Sequence, residues 1–326
     1  MPRHPIKGGD SWLDIASYGR RGPSRRDHLS PAQVAAIERT VRRTPEVMVK
    51  MLNRGGQNLG AVARHLKYLD RDGELEIETD VGERLRGQGA GEALIDDWDL
   101  DLDEQRPTSD LRRGTGGKPP KLVHKMVFSM PAGTPPEKVL AAVKVFAREE
   151  FGAQHRYAMV LHTDEPHPHV HVVVKAIGYD GRRLNIRRAT LREWRRDFAR
   201  HLRAQGVDAN ATDKVVRGST RPKLSDEAYR VMERGASRHN HEDVSGVQRT
   251  TASEALAMSA LRRTRTAVER GWAAVAELLD RQGQQDLAWS VRRFVDKLPP
   301  IRTDQERLRL AGRSQDRDRP PQELAR

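Results

Sequence analysis

The sequence predicts an α+β fold: a mainly antiparallel sheet with helices packed on it, covering one side, followed by a helical C-terminal region. Two observations carry this. Short segments with the apolar–polar alternation of strands are interleaved with longer segments that repeat every three to four residues, as amphipathic helices do. After about Gly235 the alternation vanishes and only helical periodicity is left.

Residues 1–44 read as a basic extension in which Arg20, Arg21, Arg25 and Arg26 sit among Gly, Pro and Ser. It ends in a short helix, with Ser30 as cap, Pro31 in the first turn and Gln33 completing a capping box. The main folded body is expected over 45–235. EVMVKML from Glu46 is a short strand, and Asn58 caps a helix that runs to about Asp70. Glu74–Thr79 is a second strand-like piece, followed by a helix near 81–97 and an acidic, then Pro/Gly-rich loop over 99–120. KLVHKMVFSM reads as a strand, Pro135–Phe151 as a helix, and RYAMVLHTD and PHVHVVVKAI as neighbouring antiparallel strands. Arg192–Ala204 is a further helix. Within the helical region 236–303 the periodic stretches are 252–279 and 284–297, and the tail 304–326 is polar enough to be disordered.

Composition narrows the function classes. No cysteine is present, so disulfides and thiolate metal sites are excluded and a metal must be held by His, Asp or Glu. No run of about 18 apolar residues offers a membrane span, and the expected location is cytoplasmic. The net charge of +13 is unevenly spread: Glu74–Glu104 holds twelve Asp or Glu against two Arg, a local −10 that leaves +23 on the remainder. That excess points to a polyanionic partner, above all nucleic acid.

Four of the twelve histidines fall in HTDEPHPHVH, as His162, His167, His169 and His171, with Asp164 among them. Side chains alternate across a strand, so His169 and His171 share one face about 7 Å apart and can converge on one ion. His162, ending the preceding strand, can supply a third nitrogen. Val170, Val172 and Val174 take the opposite face and anchor the strand. Three neutral imidazoles leave coordination positions open, as catalytic sites do. The expected cofactor is a divalent metal ion, and the ligand set suits several, Mg, Mn and Zn among them. Asp164 could orient a ligand imidazole.

HTDEPHPHVHVVVK resembles the histidine motif of the relaxase/mobilisation nucleases, members of the His-hydrophobic-His endonuclease superfamily. VKMLNRGGQNLGAVARHLKYLDRDGELE is similar to the tyrosine motif of the branch that includes the Agrobacterium T-DNA border endonuclease. KMVFSMPAGT is similar to its central strand motif, which brings Ser129 toward DNA, and the likeness runs through VVRGSTRP. His124 is near the place where that motif has a histidine, and Met130 stands where it has Phe. The resemblance implies that Tyr68 attacks the scissile phosphate while His162, His169 and His171 hold the ion that polarises it. It also implies a 5′-phosphotyrosine intermediate in conjugative mobilisation at a plasmid or integrative-element transfer origin. Single-stranded transfer-origin DNA is then the substrate, with relaxosome accessory proteins and a type IV secretion coupling protein as partners of the C-terminal region.

The residues argue separately for Tyr68. On a helix from Leu59, the apolar stripe is Leu59, Val62, Leu66 and Leu69, and Tyr68 falls roughly 140° from its centre. It shares the outer face with Arg64 and Arg71, cations suited to phosphate. A phenol ordinarily ionises near pH 10, so a cation or base must assist its attack.

A second basic surface is the helix 192–204. Leu191, Trp194, Phe198 and Leu202 form its apolar stripe. Arg182, Arg183, Arg187, Arg188, Arg192, Arg195, Arg196, Arg200 and Arg203 put nine arginines into twenty-two residues. Next in sequence to the histidine strand, Arg183, Arg187, Arg188, Arg192, Arg195 and Arg196 are expected to contact the DNA backbone. Two rivals remain open. A rolling-circle replication initiator or transposase of the same superfamily would carry its tyrosine downstream, where Tyr179 and Tyr229 are the candidates. A non-catalytic DNA-binding accessory protein would use the metal only structurally.

Overall fold

The computed structural model describes residues 15, 28–52, 56–105, 120–218 and 251–301. The rest of the basic extension with Tyr18, the middle of the Pro/Gly-rich loop, Tyr229 and the polar tail lie outside the described residues. The chain divides into two compact units, Arg43–Ala211, and Met1–Arg42 together with Thr212–Arg326.

In the first unit, β1 (Met48–Leu52) leads into α2 (Leu59–Leu69), after a first helix α1 (Pro31–Val41) that belongs to the other unit. The order continues β2 (Ile77–Thr79), β3 (Arg84–Leu85), α3 (Ala90–Asp97), α4 (Leu100–Gln105), β4 (Val123–Ser129), α5 (Pro136–Glu150), β5 (Tyr157–His162), β6 (His169–Lys175) and α6 (Arg188–Ala204). All the pairings are antiparallel, in the order β1-β4-β6-β5-β2-β3. The fold class is therefore the expected one. The helix expected near 81–97 is shorter, because 84–85 pair as a strand and Gly87 and Gly89 take left-handed φ of 96° and 93° just before α3 begins.

Helices cover both faces of the sheet, not one. Val170, Val172, Val174, Met159, Met126 and Phe128 pack under α5 and α6, with Phe146, Phe151, Trp194 and Phe198 at the centre of this core. There Phe128 meets Phe146 at 4.9 Å between centroids, and Phe151 meets Trp194 edge-on at 5.4 Å, contacts worth about 1 kcal/mol each beyond burial. On the other face Ala158, Val160, Val173 and Val123 pack with Val62, Leu66 and Leu69 of α2 and with Leu94, Trp98 and Leu100 of α3 and α4. The near-continuous apolar runs of β5 and β6 are the mark of strands buried on both sides. Glycine lets α2 and α3 approach: a Cβ on Gly91 would lie 2.9 Å from the Leu66 Cβ.

The second unit joins α1 to α7 (Thr251–Arg281) and α8 (Gln285–Asp296). Ser30 caps α1 with the full capping box expected from the sequence. Leu29 and Ile37 are buried with Val268, Trp272, Val275, Leu279, Val291 and Phe294. The Leu29 N–H donates to the Gln282 side chain at 3.0 Å, and the Trp272 indole donates to the Val216 carbonyl at 2.9 Å. The end of the extension is thus part of a helical core, and the boundary between units falls at Ala211, not near 235. No described helix is long and apolar enough to cross a membrane.

Candidate metal and nucleophile site

Strand register builds the imidazole cluster. His162 stands directly opposite His169, and His171 lies between Val160 of β5 and Val127 of β4. Being even on β5 and odd on β6, the three share one face, away from the core under α5 and α6. One ring nitrogen from each lies within 4.8 Å of the others. His162 is fully buried and His171 nearly so, while His169 is half-exposed at the sheet end.

Backbone carbonyls fix two of the rings. The Leu69 carbonyl, at the last residue of α2, lies 2.8 Å from Nε2 of His162, and the His167 carbonyl lies 2.9 Å from Nδ1 of His169. A carbonyl only accepts, so those nitrogens carry the protons and the others present lone pairs. Nδ1 of His162 is buried without a hydrogen-bond partner among the described residues, as is Nδ1 of His171. Burial, followed by His162 and His169, pushes His171 down to about 3, and burial holds His162 below its usual value. His162 and His171, held neutral by burial, stand with His169 in a group whose ring nitrogens could together hold a divalent cation.

Tyr68 borders this cluster. The Asn58 side chain accepts from the Ala61 N–H at 2.8 Å and starts α2, whose Val62, Leu66 and Leu69 are buried. Tyr68, on the outer face as expected, is 54% exposed, with its ring centroid 6.4 Å from both His162 and His171. After α2 the chain turns through left-handed φ at Arg71, Asp72 and Gly73. That conformation costs a non-glycine residue about 1 kcal/mol. It sets the Arg71 guanidinium carbon 5.0 Å from the Tyr68 ring centre.

Arg71 is also paired with Asp164. Asp164 lies 4.0 Å from Nδ1 of His162, beyond hydrogen-bond length, so it holds the arginine and not the ligand imidazole expected of it. Ser129 is buried opposite His169, on the histidine face. Arg64 is exposed one helical turn before Tyr68.

The arginine helix is not brought to the site. Trp194, Phe198 and Leu202 bury α6 against the opposite face of the sheet, so Arg192, Arg195 and Arg196 belong to the far layer. Arg187 and Arg188 stand at the start of that helix, and Arg183 donates to the Lys121 carbonyl at 2.7 Å as a loop tether. His124, two residues before Met126 on β4, also lies on the face away from the cluster. The other described tyrosines are remote in setting: Tyr157 is in the core under α5 and α6, and the Tyr179 hydroxyl donates to Asp80 at 3.3 Å.

Sequence reasoning missed His65. Its ring stacks with Tyr68 at 6.3 Å and meets His171 edge-on at 6.3 Å. Burial, then the buried Lys125, lowers it to about 4. The signal was present, since positions three apart on a helix are neighbours.

Three clustered imidazoles with an exposed tyrosine beside them, on one face of an antiparallel sheet, form a group able to hold a metal ion. Residues 80–207 match the family model described as relaxase, MobA/VirD2-like, nuclease domain. The match includes the three histidines; Tyr68 precedes it. The chain is similar to the T-DNA border endonuclease VirD2 of Rhizobium rhizogenes, at 25% identity over 61% of this chain and 48% of that protein. It is also similar to the protein of the same name from Agrobacterium fabrum (strain C58), at 26% identity over 59% of this chain and 45% of that protein. The chain thus spans about half the length of the curated relatives it matches.

Proposed function

We propose that this chain nicks one DNA strand at the transfer origin of a plasmid or integrative element and becomes joined to the 5′ end through Tyr68. The observation that carries this is the exposed Tyr68 ring 6.4 Å from two of the three clustered imidazoles. The Tyr68 oxygen forms a bond to phosphorus as the bond from phosphorus to the neighbouring 3′ oxygen breaks. The phenol loses one proton and the departing 3′ hydroxyl gains one, so the strand is cut without hydrolysis. The phosphotyrosine bond can later be attacked by a 3′ hydroxyl to rejoin a strand.

His162, His169 and His171 would hold the metal, Mg or Mn first and Zn as a further possibility. When bound it supplies Lewis-acid polarisation of a non-bridging phosphate oxygen. Arg71, fixed by Asp164, sits where it can stabilise negative charge at the phenol and phosphate. Arg64 offers a backbone contact one turn away. Single-stranded transfer-origin DNA is the substrate. Relaxosome accessory proteins and a type IV coupling protein are the partners we assign to the remainder of the chain, acting in the cytoplasm.

The test is incubation of the chain with transfer-origin oligonucleotides and a divalent metal, followed by a denaturing gel and peptide mapping. A covalent adduct on Tyr68 is expected. An adduct on any other tyrosine, or cleavage that leaves no protein-linked DNA, would overturn the reading.

A further inference from the structure

An exposed tyrosine on a helix ordinarily samples several rotamers, whereas in-line attack needs one direction of the phenol. Tyr68 is exposed yet flanked on two sides. The Arg71 guanidinium carbon stands 5.0 Å from its ring centre, and the His65 ring stacks with it at 6.3 Å with planes only 19° apart. His65 is itself held, three residues earlier on α2 and edge-on to His171 at 6.3 Å with planes 70° apart. Its Nε2 is buried without a partner among the described residues.

We propose that His65 is a positioning residue whose ring sets the direction of the Tyr68 phenol relative to the imidazole cluster. This inference rests on the reading of Tyr68 as nucleophile. The three clustered histidines bring ring nitrogens within 4.8 Å of one another, and His65 stands outside that group. Its Nε2 has no hydrogen-bond partner among the described residues, and what it gives Tyr68 is a flat surface in near-parallel orientation. Because its other edge rests on His171, the direction of the tyrosine is referenced to a metal ligand. An aliphatic side chain of similar volume fills the space without imposing a plane, whereas a phenyl ring preserves it.

The experiment compares wild type with His65→Ala, His65→Leu and His65→Phe in the full chain, on the oligonucleotide that gives the wild-type adduct. Single-turnover cleavage at saturating DNA is measured beside DNA and Mn affinity. His65→Ala and His65→Leu are expected to slow cleavage about ten- to hundredfold, with both affinities within about twofold of wild type. His65→Phe should return the rate to within about threefold. Wild-type cleavage in His65→Ala, or a His65→Phe rate as low as that of His65→Leu, would overturn the proposal. Should His65→Ala fail to fold, the Leu and Phe variants, which both fill the site, still decide. A wild type that forms its adduct elsewhere than Tyr68 refutes the nucleophile reading, while a normal Tyr68 adduct with unaffected His65 variants refutes this inference alone.

Discussion

The two faces of the six-stranded sheet differ in chemistry. One face carries the clustered imidazoles, Tyr68 and the Arg71–Asp164 ion pair; the other carries an aromatic core under a helix crowded with arginines. In sequence β6 and α6 are separated by only a short hairpin segment, yet alternation along β6 sends histidines and valines to opposite sides. Proximity along the chain therefore does not bring the arginines of α6 to the histidine cluster. The arginine-rich helix and the histidine cluster are separate features, and substitutions should separate them.

The greatest effect is expected from Tyr68→Phe, which removes only the hydroxyl. It should eliminate the covalent adduct while DNA affinity stays within about twofold, measured by gel and by fluorescence anisotropy, because the ring and its neighbours remain. Next come His162→Ala, His169→Ala and His171→Ala. Each should lower nicking by about a thousandfold or more, and chelation of the wild type should do the same. Full nicking in metal-free buffer would show that the histidine face works in some other way.

Acid should act on the same face through stability. His171, at about 3, and His65, at about 4, stay neutral in the folded state where an unfolded imidazole, near 6.5, takes a proton. The unfolded chain binds more protons below pH 6.5, so stability falls as pH drops from there toward 4. Each such imidazole contributes up to about 1.4 kcal/mol per pH unit. His124, at about 4 on the opposite face, adds the same sign. The melting temperature of metal-free protein should thus decline between pH 7 and 5, and a flat profile would contradict the neutral-imidazole account.

A smaller effect separates the cationic groups. Arg64→Ala, beside Tyr68, should weaken binding of short oligonucleotides and reduce the salt slope by about 1. The triple replacement of Arg192, Arg195 and Arg196 by Ala should leave short-oligonucleotide nicking within about threefold and weaken only longer DNA. If the triple variant instead lost nicking of the short substrate, the DNA path would run over the far layer.

Much of this face was legible in the sequence. The alternation of His169 and His171 with Val170, Val172 and Val174 needs only the two-residue period of a strand, and the outward direction of Tyr68 needs only the helical period. Capping by Ser30 and Asn58 is local chemistry and was equally readable. What escaped were relations between distant segments. His65 becomes part of the site only when α2 is laid across β5 and β6, and Asp164 finds Arg71 from 93 residues away. The second layer of helices was missed because the strands were read for alternation, although Ala158, Val160 and Val173 already declared a second buried face.

The unit boundary makes the last prediction. A cut at 235 would remove α7 and α8 and leave α1 with Leu29 and Ile37 uncovered, residues now almost fully buried. Fully exposing such side chains costs about 1.5–3 kcal/mol each, enough to promote aggregation without touching the histidines. A fragment of residues 43–211 carries no such orphaned helix and retains both sheet cores, β1 through α6. It should stay monodisperse and nick a short single-stranded substrate within about tenfold of the full chain, since the unit keeps its own positioning contacts. Fragment 1–235 should be the less soluble of the two by size-exclusion chromatography. A folded 43–211 fragment without nicking activity would show that the helical unit completes the site, and the comparison of faces would then have to include it.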